Sequence, residues 1–242
     1  MSIPKLEHWL TTSQGAYLMA REGEHIERMV ANVFGFNAVQ LSMGRHDLLA
    51  SSRIPLRLHA GRGEEVQLKA DYRQLPFASQ SVDLMLLPHI LEFNVDPHQI
   101  LREVERVLIA EGQVIISGFN PWSLWGLRRL FPGGDDCPWC GRFISLRRLR
   151  DWLALLGFEI VAGQFCGYVP PLQQEKWLNR YAFMELAGNR WWPAAGGVYI
   201  IQAIKRVHGM RLITPRWQEA ARTQKALSPV AQKTTQKESL GG

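Results

Sequence analysis

The chain has 242 residues, of which 46% are hydrophobic and 21% charged, with a formal net charge of +6. That length supports one ordinary hydrophobic core, or one domain with a tail. No apolar run approaches the roughly eighteen residues a membrane-spanning helix needs, and three cysteines argue against a disulfide scaffold and suit a reducing cytoplasm. The opening MSIPKLEHWL has no apolar stretch of the secretory type. From Lys205 onward there are eight basic residues against two acidic ones, which accounts for the whole net charge and leaves the body neutral.

In chain order, residues 7–34 read as helical. Ile26, Met29, Val30, Val33 and Phe34 form an apolar face, and Gly35 ends the last turn. Residues 37–44 read as a first strand and its turn, and residues 55–59 as a second. Val66, Leu68 and Ala70 alternate with polar residues and lead to Asp71, a third strand ending in a carboxylate. Residues 83–87 are a short apolar run stopped by Pro88, the pattern of a strand buried on both faces. Asp96-Pro97-His98-Gln99 then opens a helix: the aspartate accepts from free first-turn amides, the proline sits where its missing amide costs nothing, and Gln99 stands at the capping-box position. Ile100, Leu101, Val104, Val107 and Leu108 line one face of that helix. Gly112 turns the chain into a buried strand at residues 113–117, completing a strand–helix–strand unit with an expected right-handed crossover. Residues 123–131 suggest a short amphipathic helix, with Trp122 and Trp125 either lining a pocket or packed in the core. Ser145 caps a further helix closed by Gly157, before strands at 158–161 and 198–204.

An ordered series carries a resemblance: Asp71, then Leu75-Pro76-Phe77, then Ser81-Val82-Asp83 entering a strand, then Arg102-Glu103, Arg106-Val107-Leu108 and Gly112. In this the chain resembles the class I S-adenosylmethionine-dependent methyltransferases, most closely the type 11 methyltransferase-domain group. The resemblance implies an α/β, Rossmann-like fold with a seven-stranded, mostly parallel sheet and an antiparallel last strand. Residues 1–206 would form this domain and residues 207–242 a basic, disordered tail. It implies a cytoplasmic enzyme that transfers a methyl group from S-adenosylmethionine to a small molecule. Asp71 would accept from the adenine amino group, Tyr72 would contact the ring, and Leu87 to His89 would flank the sulfonium. Any general base is expected at His89 or Glu92, just past the same strand.

The first-strand loop departs from that pattern. The family places an acid in the strand and a Gly-x-Gly-x-Gly loop after it, whose amides approach the methionine part of the cofactor. This chain has Gln40 and Gly44, followed by Arg45, His46 and Asp47. The second strand should end in a carboxylate for the ribose; the sequence there is Leu58-His59-Ala60-Gly61-Arg62-Gly63, with Glu64 and Glu65 next. These departures leave a second reading open, a non-catalytic methyltransferase-like module contacting RNA or an anionic surface through its tail. Two insertions remain. Residues 132–143 carry Cys137-Pro138-Trp139-Cys140-Gly141, half of a four-ligand metal site or a pair of thiols. Residues 170–196 carry Trp177, Tyr181, Phe183, Trp191 and Trp192, an aromatic lid or a helix packed on the sheet.

Overall fold

The computed structural model describes residues 3–42, 46–63, 66–129, 138–170 and 192–207. The chain divides into two units, Met1–Val207 and His208–Gly242; the second, with the basic tail, lies outside the described residues. So does most of the aromatic insertion.

The elements run α1 (Ile3–Leu10), α2 (Ser13–Val30), β1 (Asn37–Ser42), β2 (Leu56–Gly61), β3 (Leu68–Lys69), β4 (Val82–Pro88), α3 (Pro97–Val107), β5 (Leu108–Phe119), α4 (Leu124–Arg128), α5 (Leu146–Leu155), β6 (Phe158–Cys166) and β7 (Val198–Lys205). Short 3-10 turns lie at Leu91–Phe93 and Pro193–Ala195. The seven strands form one sheet in the order β3-β2-β1-β4-β5-β7-β6. Pairs from β3 to β5 are parallel, and β7 runs antiparallel between β5 and β6. The expected seven-stranded sheet with its antiparallel last strand is therefore present. Its centre is dry: Leu84 to Leu87 on β4, and Val114 and Ile115 on β5, are fully buried. Such double-faced burial is why these strands read as continuous apolar runs rather than alternating ones.

The single helix expected over 7–34 is two. Thr12 stops the first and caps the second, its hydroxyl accepting from the Gly15 amide at 3.2 Å. The corner is tight enough that a Cβ on Gly15 would overlap the Trp9 carbonyl. The turn at Gly112 also differs in detail. The left-handed residue is Glu111, at φ +62°, while Gly112 is needed because a Cβ there would sit 2.9 Å from the Ile109 carbonyl oxygen. Residues 109–112 bulge out of the β4–β5 ladder, whose register passes from Val82↔Leu108 to Leu84↔Gln113.

The motif residues hold the scaffold together. Asp83 accepts from the amides of Phe36 (3.0 Å) and Asn37 (2.9 Å), fixing the entry to β1. Asp96 caps α3 through the Gln99 amide at 3.0 Å, but the Gln99 side chain reaches Arg73 O rather than closing a capping box. Glu103 accepts from the Leu75 amide at 3.0 Å. Arg106 donates to Glu103 (2.8 Å) and to the carbonyls of Leu75 and Phe77 (3.0 Å each). The Leu-Pro-Phe segment is thus strapped to α3 by charge-assisted bonds. Arg106→Ala is expected to cost about 2 kcal/mol, by the usual worth of bonds to a charged group. Hydrogen exchange should show the Leu75 amide losing protection before the sheet does.

Candidate active site

In this topology the strand order reverses between β1 and β4, and ligands of open α/β sheets bind outside the carboxyl ends of strands at such a point. The end of β1 and residues 87–92 after β4 border it, and residues 61–62 after β2 and 70–72 after β3 lie one and two strands further along the same edge.

At the β1 end, Gln40 is buried. Its amide nitrogen donates to the His46 carbonyl at 2.6 Å and its oxygen accepts from the Leu48 amide at 3.0 Å. One side chain therefore closes the loop across its base. A carboxylate at this position could serve the Leu48 amide but would set an oxygen against the His46 carbonyl, so the glutamine suits this loop and an acid would not. Gly44, Glu64 and Glu65 lie outside the described residues. His59 pairs with Asp47 at 3.3 Å.

At the β3 end, Asp71 is half-exposed and its carboxylate is shared by two arginines. Arg62 donates at 2.6 Å and Arg73 at 2.8 Å, and the Arg73 amide donates at 3.0 Å. The Arg73 side chain and amide, helped by Arg62, hold the carboxyl well below the usual carboxylate range. Arg62 also lies over the Tyr72 ring, 5.5 Å from its centroid, and Tyr72 is fully buried. Arg62 reaches this far because β2 and β3 are joined by only six residues, 62–67. Parallel neighbours usually need a dozen or more, often a helix. Six suffice here because β3 pairs only with Ala60 and Gly61, at the far end of β2.

At the β4 end the structure assembles a buried charged cluster. His89 takes a left-handed backbone, φ +52°, and its amide donates to Ser117 O at 3.1 Å. Its ring faces Glu92 through Nδ1 (3.0 Å) and Glu22 of α2 through Nε2 (3.0 Å). Glu92 in turn accepts from the Phe119 amide. His89, Glu22 and Glu92 are all essentially inaccessible to solvent. Burial alone would lower the His89 pKa, but Glu22 and Glu92 outweigh it and raise it to about 10. Burial likewise opposes ionisation of Glu22, yet attraction to His89 holds its pKa below the ordinary value; for Glu92 burial prevails and the pKa rises. The two carboxylates thus favour the protonated ring of His89, and in this arrangement neither nitrogen is offered to the crevice. Leu87 is fully buried and offers the crevice no accessible surface. Beside the cluster, the buried Ser117 hydroxyl also helps hold the Glu22 pKa down.

Against this cluster stands an aromatic one. The His89 ring lies 4.3 Å from Phe119, which neighbours Phe143 (5.1 Å), Trp9 (6.0 Å) and Trp125 (6.1 Å). Trp125, one of the two tryptophans weighed as pocket-lining, is core; Trp122 is exposed. Cys140 is half-buried, Cys137 lies outside the described residues, and no group of three or more metal-binding side chains occurs among the described residues.

The family model described as "Methyltransferase domain" matches residues 27–116, the stretch that builds β1 through β5 and carries Asp71, His89 and Glu92. Residues 27–116 thus match the methyltransferase-domain family, within a sheet of the class I methyltransferase order. Among curated relatives, YafS of Escherichia coli (strain K12) is 42% identical over 151 residues, 61% of this chain and 58% of that one. The malonyl-[acyl-carrier protein] O-methyltransferase of Laribacter hongkongensis is 34% identical over 89 residues, 37% of this chain and 30% of that one. The chain thus spans under two thirds of either. A methyltransferase structure from Thermotoga maritima superposes with a TM-score of 0.62 at 16% identity, covering 84% of this chain and 96% of that one. One from Archaeoglobus fulgidus gives 0.55 at 16%, covering 76% and 93%. Those likenesses show the fold.

Two partners in this candidate site were not legible as such in the sequence. Glu22 stands among Leu18, Met19 and Ile26 on the buried face of α2, and an acid on an apolar stripe is the signal that could have found it. Arg62 stands where a carboxylate was expected.

Proposed function

We propose that the chain transfers a methyl group from S-adenosylmethionine, the donor of this methyltransferase class, to a small-molecule acceptor. The observation that carries the reading is Asp71: an acceptor-only carboxylate at the end of β3, on the same edge of the sheet as the switch point and two strands from β1, on a loop strapped to α3 by Glu103 and Arg106. That chemistry fits the exocyclic amino group of adenine, with the backbone at Tyr72 beside the ring. The end of β2 fits less well, since Gly61 and Arg62 offer no side-chain acceptor to a ribose diol. The match over residues 27–116 favours the enzyme over the non-catalytic module.

When bound, the cofactor supplies an electrophilic methyl group on a sulfonium. The chain's share of the work is alignment and exclusion of water. Pro88 and His89 close the crevice at the end of β4, and Glu22 and Glu92 fix that corner from α2 and from the turn after β4. His89 and Glu92 then serve as positioning residues, and a nucleophilic acceptor needs no base from them. One relative is named for O-methylation of malonyl-[acyl-carrier protein], which makes an oxygen acceptor the first class to try. The direct test is transfer of a labelled methyl group from S-adenosylmethionine to small-molecule fractions.

Arg62 competes with adenine for Asp71. An exposed pair is worth about 0.2–1 kcal/mol, so Arg62→Ala should tighten S-adenosylhomocysteine binding by up to about fivefold. Equal or weaker binding would remove Arg62 as a competitor.

A further inference from the structure

We propose that the surface formed by residues 120–129 together with Trp192 docks on an anionic lipid bilayer. The proposal is independent of the methyl-transfer reading.

Asn120, just past the end of β5, is buried and its side chain clamps two turns side by side. It donates to Ala194 O (2.9 Å) and Gly196 O (3.0 Å) and accepts from the Trp122 amide (3.0 Å). Each clamped turn carries an exposed indole: Trp122 is 82% exposed and Trp192 66%. Neither ring has an aromatic or hydrogen-bond partner among the described residues. The adjoining helix α4 is capped by Ser123 and sends Trp125 inward, leaving Leu124 (46%) and Leu127 (49%) on the outside. These two are three residues apart and share a face. A soluble surface rarely gathers large apolar side chains on one backbone-fixed element without a use for them.

The charge beside them is positive. Arg128 lies over the Trp139 ring at 5.5 Å and Arg129 over the Phe143 ring at 5.7 Å. Neither pairs with a carboxylate among the described residues, although Arg62, Arg73, Arg106 and Arg206 all do. Indole rings and leucines beside arginines match the interfacial zone of a bilayer: rings at the headgroup level, apolar side chains below, guanidiniums on lipid phosphates. Nucleic acid fits less well, because backbone binding to it is chiefly electrostatic and two arginines stand here against four large apolar side chains. The surface lies at the carboxyl end of β5, the edge on which ligands of this fold are taken up.

The test is flotation of the full chain with vesicles of phosphatidylcholine alone and of phosphatidylcholine with phosphatidylglycerol, alongside quenching of tryptophan fluorescence by brominated lipid. The wild type should float with the anionic vesicles and be quenched. Arg128→Glu with Arg129→Glu should weaken partitioning at least about thirtyfold, from the usual worth of two basic groups at an anionic surface. Trp122→Ser with Trp192→Ser should remove most of the quenching; both double variants should melt like the wild type, since the changed side chains are not core. Three results would overturn the proposal: no flotation, flotation unchanged in both variants (the basic tail then being responsible), or capture of RNA or an acidic protein in place of vesicles.

Discussion

Replacing His89 with alanine is expected to cost about 3–5 kcal/mol, the usual penalty for removing one partner from a buried ionic cluster. The change leaves Glu22 and Glu92 facing each other in a site both bury almost completely. It also cuts the link between α2 and the end of β4. Urea unfolding should show a lower midpoint at unchanged slope. Glu92→Gln is expected to be far milder. A glutamine oxygen can still accept from the Phe119 amide, and its nitrogen can donate to Nδ1 of a neutral His89, which keeps Glu22 as its other partner.

The same cluster sets a pH dependence. With the His89 pKa raised from 6.5 to about 10 in the folded state, the folded protein holds a proton that the unfolded chain releases. Its contribution is complete below pH 6.5, declines as pH rises from 6.5 toward 10, and is gone above that. Glu22, whose folded pKa is lowered, contributes above the ordinary carboxylate pKa and loses that contribution in acid. Glu92, whose pKa is raised, works against it. Wild-type stability should therefore fall across the alkaline range, and His89→Ala should lose that slope. A persisting slope would place the titrating group elsewhere.

The second large effect is expected at Trp125. Its indole nitrogen donates to Val169 O at 2.9 Å, and its own carbonyl accepts from Trp139 Nε1 at 2.9 Å. Its ring packs against Phe119, Trp139 and Trp9. Trp125→Ala should cost about 3–5 kcal/mol through the cavity it opens. Trp125→Phe should recover most of this, losing chiefly the bond to Val169. The check is the melting temperature of each, with loss of near-ultraviolet circular dichroism expected only for alanine.

The sheet was legible because its central strands and α3 announce themselves locally: the apolar run stopped by Pro88, the Asp96-Pro97 cap, the glycine before residues 113–117. What escaped were contacts between distant segments. Glu22 meets His89 across a separation of 67 residues, and nothing local in either segment names the other. Arg62 meets Asp71 only because β3 pairs with the last two residues of β2. The Leu-Pro-Phe and Arg-Glu residues were readable as a motif, but their work is to strap the Asp71 loop to α3, a role that spacing does not reveal. The break at Thr12 was missed because apolar residues at helical spacing lie on both sides of it, Leu6, Trp9 and Leu10 before and Leu18 and Met19 after.

The most direct measurement is calorimetric titration of the full chain with S-adenosylhomocysteine, wild type against Asp71→Ala. If Asp71 anchors the adenine, the wild type binds in the micromolar range and the variant loses most of that affinity while melting like the wild type. Binding that is equal in both, or no heat up to millimolar ligand, would contradict a cofactor site at the end of β3.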